Sequence, residues 1–175
     1  MHISGINYES CNDGEGMRTV IFVSGCSHNC KGCHNPQTHD PHYGTELTDE
    51  MLQEIFLEIH KREAFLQGIT ISGGDPLYKD NLITVCGLLI SFRTLFPKMD
   101  IWLYTGYSWK DIVSNRIFQS VAEFVDVMVT EPFILEQRDI VSKPFRGSRN
   151  QRLILARKTM LTSSLVSKPF YHELD

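Results

Sequence analysis

The sequence has no run approaching the 18 or so consecutive apolar residues of a membrane-spanning helix, so no membrane segment is expected. It has no large charge excess: 17 Lys and Arg against 21 Asp and Glu leave a net charge of −4, which excludes wholesale attraction to nucleic acid or to an anionic membrane surface. It is too short, at 175 residues, for a complete eight-stranded β/α barrel of about 250 residues. It shows no internal repeat and no low-complexity segment. Met1 leads into a polar run over 2–16 with no apolar core, so no secretory leader is expected and the chain reads as cytoplasmic, where thiols stay reduced. Cysteine is scarce and odd in number (Cys11, Cys26, Cys30, Cys33 and Cys86), a poor fit to a closed disulfide framework. Hydrophobic residues at 42% and charged residues at 22% are ordinary globular composition, which sets disorder aside in favour of one domain over 1–175.

Short β-branched apolar runs alternate with helix-period segments. Strands are expected at 19–23, 68–71, 101–104, 125–129 and 153–155. Thr48, followed by Asp49 and Glu50, caps a helix that places Met51, Leu52, Ile55, Phe56 and Ile59 on one face. A second helix is expected over 80–95. A third, capped by Ser108, contains Ile112, Val113 and Ile117. Near-continuous apolar strands point to a sheet covered on both faces. Strand–helix alternation predicts an α/β fold with a mostly parallel sheet of about five to six strands, either open or closing into a partial barrel. Ligands of such sheets bind beyond the carboxyl ends of the strands.

Two loops fall at that edge. The first carries Cys26-x3-Cys30-x2-Cys33. Three thiolates on one short loop suit three corners of an iron–sulfur cubane, leaving one iron open. They also suit zinc with His28, His34, His39 or His42 as a fourth ligand. A redox dithiol needs only two of them. Cys11 lies beyond the far end of the first strand, and Cys86 sits on the apolar face of the second helix as a small core residue. The second loop is Ser72-Gly73-Gly74-Asp75-Pro76, where glycines allow a ligand close to the main chain. By itself it reads equally as a tight strand-to-helix turn.

The run from Gly25 to Pro36, with its CxxxCxxC spacing, resembles the cluster segment of radical S-adenosylmethionine (SAM) enzymes, and within them the glycyl-radical activating enzymes. Asp13-Gly14-Glu15-Gly16-Met17-Arg18 is similar to their Asp-Gly-x-Gly-x-Arg element. Leu103-Tyr104-Thr105-Gly106-Tyr107, Pro132-Phe133 and Phe145-Arg146-Gly147-Ser148-Arg149-Asn150-Gln151-Arg152 resemble the branch that activates anaerobic ribonucleoside-triphosphate reductase. The resemblance is strongest over 6–155. It implies a partial, open β/α barrel of the radical SAM type. It implies a [4Fe–4S] cluster on Cys26, Cys30 and Cys33, with SAM chelating the open iron. Gly32, Cys33 and His34 would lie against SAM, and Gly73, Gly74 and Asp75 would hold its methionine end. The implied reaction is reductive cleavage of SAM to a 5′-deoxyadenosyl radical that abstracts hydrogen from a glycine of the reductase, with a flavodoxin or ferredoxin as electron donor. Other readings are a pyruvate formate-lyase-type activase or other radical SAM enzyme and, from a different class, a zinc-stabilised binding module.

The sequence also departs from that pattern. Gly32 stands where many radical SAM enzymes carry an aromatic residue, Glu15 where relatives often show Pro, and Thr130-Glu131 where Asp-Gly is expected. Between Arg138 and Lys158 there are seven Lys or Arg and one acid, Asp139. This segment is either a solvated surface or a docking surface for the partner, and reversing charge at Arg146 and Arg149 together is the corresponding test. Residues 159–175 show no strong period.

Overall fold

The computed structural model describes residues 1–139 and 145–162. The strands among them are β1 (His2–Ser10), β2 (Arg18–Val23), β3 (Thr45–Glu46), β4 (Gly68–Gly73), β5 (Asp100–Tyr104), β6 (Val127–Thr130) and β7 (Arg152–Ile154). The helices are α1 (Asp49–Lys61), α2 (Leu82–Leu95), α3 (Trp109–Ser114), α4 (Arg116–Ala122) and α5 (Ala156–Thr162). The strands form one sheet in the order β3-β1-β2-β4-β5-β6-β7. Its centre, β2-β4-β5-β6, is parallel, while β1 and β7 pair antiparallel with their neighbours.

The sequence reading missed β1 and β3. β1 mixes Ile3 and Ile6 with Ser4, Asn7 and Glu9, and its register against β2 shifts twice, so it shows no clean period of two. β3 is only two residues long, too short to carry a pattern. The expected third helix is two helices. Asn115 ends α3 and its side chain accepts from the amides of Ile117 and Phe118, restarting the chain as α4. α5 covers 156–162, so part of the segment read as aperiodic is helical; 163–175 lie outside the described residues.

The two faces of the sheet differ. Ile21 and Val23 of β2, Ile69 and Ile71 of β4, Ile101 and Leu103 of β5 and Met128 of β6 join one core with buried residues of all five helices except α5's Thr159. Each such side chain contributes about 1.5–3 kcal/mol on burial, which fixes the register, since a one-residue slip would put Arg18, Thr70 and Trp102 there instead. The expected covering of both faces is met, since Val20, Thr70, Trp102, Val127 and Val129 on the second face are buried, although the main core with the helices lies on the first. The second face carries a smaller cluster of Trp102, Val127, Val129 and Leu153, with Phe145 and Tyr104 packed against it.

Arg18 lies fully buried on this second face. Its guanidinium donates to Thr70 Oγ1 at 2.9 Å, Glu15 O at 2.6 Å and Ile69 O at 3.0 Å, and pairs with Asp100. It also stacks over Trp102 at 5.3 Å. Thr70 Oγ1 donates in turn to Asp13 O at 2.7 Å. The segment from Asp13 to Arg18 therefore plugs the amino-terminal end of the sheet, away from the cysteines.

Candidate cofactor site at the carboxyl edge of the sheet

β2 and β4 run parallel in register, Val23 beside Gly73, so the loops that follow them leave the sheet side by side. Their backbones are hydrogen-bonded together. Gly74 N donates to Val23 O at 2.7 Å and Asp75 N to Gly25 O at 2.8 Å. Asn81 Nδ2 bridges Ser24 O and Asp75 O at 2.8 and 3.0 Å, so this residue, at the start of α2, ties the loops instead of capping its own helix. Glycine is required at 73: φ is +105°, and a Cβ there would lie 2.6 Å from Val23 O.

A cavity of about 520 Å³ opens at this edge. Cys26, Cys30 and Cys33 line it, as do Gly32 and His34. Gly73, Gly74 and Asp75 form its opposite wall. All eight residues singled out from the sequence thus face one space. Its size falls within the roughly 300–1,000 Å³ of small-molecule sites. Cys11 is exposed at the other end of the sheet, its sulfur 3.7 Å from Met17 Sδ. Cys86 is half-buried against the main core.

The Cys26 and Cys30 thiols sit where burial favours the protonated form. Burial pushes Cys26 up to about 11, and the nearby Asp75 carboxylate adds to this. The amides of His28 and Asn29, directed at the sulfur, oppose the rise. Burial also raises Cys30, opposed chiefly by the amide of Phe133. A redox dithiol needs a thiol with a lowered pKa, so these shifts argue against that reading. Amides aimed at sulfur are what a ligated thiolate needs, and they tune a cluster's potential. Among the described residues no three His, Cys, Asp or Glu side chains converge as a single-ion site does; in a cubane each thiolate instead binds a different iron.

The Asp75 carboxylate is 1% exposed and already engaged. It accepts from Leu77 N at 2.8 Å, Thr105 Oγ1 at 2.9 and 3.1 Å, and Gly106 N at 2.9 Å. His28 Nε2 lies 3.0 Å from its Oδ2. Its four protein partners give its side chain the work of holding loops.

The remaining wall comes from residues the sequence reading had not placed there. Glu131, with φ of +81°, donates its amide to Tyr107 O and accepts from Gln151 Nε2 at 3.2 Å. Gln151 Oε1 accepts from Gly147 N and Ser148 N, and Asn150 Nδ2 donates to Pro132 O. The Gly147–Gln151 motif therefore clamps the lip that carries Glu131 and Phe133. The motif was visible in the sequence; its hydrogen-bonded target was not.

Three half-buried cysteines thus face a glycine turn across one cavity at the carboxyl edge of the mostly parallel sheet of an α/β protein. The model of the 4Fe-4S single cluster domain matches residues 12–154. The chain is 38% identical over 141 residues to the anaerobic ribonucleoside-triphosphate reductase-activating protein of Enterobacteria phage T4, covering 81% of this chain and 85% of that one. It is 38% identical to the protein of that name from Vibrio cholerae and 35% identical to that from Escherichia coli K12, each over 139 residues, 79% of this chain and 88% of theirs. The chain belongs to this family of activating proteins, which carries a 4Fe–4S cluster domain. The zinc-module reading is set aside on that ground. No helix among the described residues is long and apolar enough to cross a membrane.

Proposed function

We propose that this protein activates an anaerobic ribonucleoside-triphosphate reductase, with Cys26, Cys30 and Cys33 holding a [4Fe–4S] cluster and SAM bound beside it. The observation that carries this reading is the shared cavity of the three cysteines and the Gly73-Gly74-Asp75 turn. Held by these residues, the cluster would supply the electron for reductive cleavage of SAM, the chemistry by which a glycine of the reductase would lose hydrogen.

The chain's own residues hold and enclose. The amides of His28, Asn29 and Phe133 stabilise the ligating thiolates. The Gly73-Gly74 backbone receives the methionine end of SAM, with Asp75 fixing that turn from behind. Gly32 and His34 flank the ligand on the cysteine side. The protein orients the cofactors and excludes competing reactions. A parallel sheet centre with the main helical core on one face suits a partial, open β/α barrel of the radical SAM type, formed by 1–175 as one domain. The chain acts in the cytoplasm and takes its electron from a flavodoxin or ferredoxin.

Mixing the reduced protein with SAM and the reductase should give a glycyl radical by electron paramagnetic resonance (EPR). Protein purified without oxygen should be brown, with about four iron and four sulfide per chain. Replacing Cys26, Cys30 or Cys33 with Ala should abolish SAM cleavage, while Cys86→Ala should leave it intact. Colourless protein carrying one zinc, or full cleavage in Cys30→Ala, overturns the assignment.

A further inference from the structure

We infer that His28 is a positioning residue that locks the cysteine loop to the loops after β4 and β5 through the single buried carboxylate of Asp75. Its role in cofactor binding rests on the cluster reading above; the tie itself does not.

The geometry is specific. His28 stands between Cys26 and Cys30, and its Nε2 reaches Asp75 Oδ2 at 3.0 Å. The same carboxylate holds Thr105 Oγ1 and Gly106 N, from the loop after β5, and Leu77 N, from the loop after β4. Three loops that are distant in sequence therefore meet at one group. The imidazole is held on its flank as well. Its ring packs edge-on to Tyr107 with centroids 4.6 Å apart, and Tyr107 packs on Phe118 at 4.7 Å. Gly106 leaves room for no more than a hydrogen: a Cβ at 106 would lie 2.4 Å from His28 Cδ2.

Anchoring this side chain has a consequence for the sulfur beside it. The amides of His28 and Asn29 point at Cys26, in a turn where Asn29 takes φ of +47°. A left-handed non-glycine residue needs its surroundings to hold it. The His28 side chain provides that hold, so the amide pair stays aimed at Cys26 while the glycine turn stays fixed across the cavity. Without the imidazole, Asp75 loses a buried partner and the cysteine loop is free to move relative to the glycine turn.

The test uses the full chain with its cluster reconstituted without oxygen. His28→Leu removes the tie. His28→Gln keeps it, because the glutamine amide nitrogen stands in for Nε2. Hydrogen exchange should rise by at least about tenfold in His28→Leu, in 26–30 and 105–107 together, as expected when a buried polar group loses its partner. His28→Gln should return both segments to wild-type exchange, and Gly106→Ala, which displaces the ring, should behave like His28→Leu. The change that SAM produces in the EPR spectrum of the reduced cluster should weaken in His28→Leu and be restored in His28→Gln. Wild-type exchange in His28→Leu, or a rise confined to 26–30, overturns the tie. If wild-type protein shows no EPR response to SAM, the cofactor reading fails while the exchange data still decide the tie. Should His28→Leu fail to fold, His28→Asn, whose amide falls short of Asp75, takes its place with the same two outcomes.

Discussion

Arg18 is a full positive charge with no exposed surface, and it is tolerable only because its donors are occupied by Thr70 Oγ1, Glu15 O, Ile69 O and Asp100. Removing one partner of a buried pair costs about 3–5 kcal/mol, and the partial exposure of Asp100 puts this case at the lower end. Arg18→Met should therefore destabilise the protein by about 3 kcal/mol, lowering the thermal midpoint by roughly 6–12 °C for a chain of this size. Arg18→Lys should recover little, since an ammonium cannot span the same fork of acceptors. The iron content of the surviving folded protein should be unchanged, because Arg18 acts at the opposite end of the sheet from the cysteines. A melt within 2 °C of wild type would mean that the guanidinium network carries no net stability. Resemblance alone gave this arginine no role; the structure makes it part of the scaffold.

At the scale of elements, the loop from Cys26 to Cys33 couples folding to protonation. Burial raises the Cys26 thiol to about 11 from an ordinary value of 9.0. Between those two values the unfolded chain has released a proton that the folded chain still holds. Stability of the cluster-free protein should thus be complete below about pH 9 and fall as pH rises toward 11. Iodoacetamide should alkylate Cys26 in the cluster-free protein more slowly at pH 8 than exposed Cys11, with the rate at Cys26 climbing only near its own pKa; equal rates at pH 8 would contradict this. The loop's spacing was legible from sequence, as were the parallel central strands and the Thr48 and Ser108 caps, because each depends on local residue order. The split of α3 from α4 was missed because Asn115 acts within a continuous apolar period. β1 was missed because an edge strand with bulges carries little alternation. The Asp75 hub was invisible for a different reason: its donors come from positions 28, 77, 105 and 106, and no local pattern announces a meeting across three loops.

For the whole molecule, the question is how a protein substrate meets the cavity. The helices occupy one sheet face, and the cavity opens at the carboxyl edge beside the 145–151 loop. The basic excess over 138–158 divides among its described residues, Lys143 lying outside them. Arg138 lines the cavity itself. Arg146 donates to Arg149 O at 3.0 Å and Gln151 O at 3.1 Å, so it builds the loop, and reversing its charge would test folding as much as docking. Arg149 is exposed on that same loop, while Arg157 and Lys158 are exposed on α5. Arg149→Glu is therefore the cleaner probe of an electrostatic approach by the reductase, and the double reversal Arg157→Glu, Lys158→Glu is its control. Rim charges act mainly on association rate, so Arg149→Glu should slow reductase activation by about threefold to tenfold at low salt. The difference should shrink as salt rises, because screening shortens the Debye length from about 10 Å at 0.1 M to about 3 Å at 1 M. The α5 double variant should activate at the wild-type rate across that range. Equal slowing by both variants would mean that net charge alone guides the encounter; no slowing by Arg149→Glu at any salt would remove this loop from the docking surface and leave the basic excess as solvated surface.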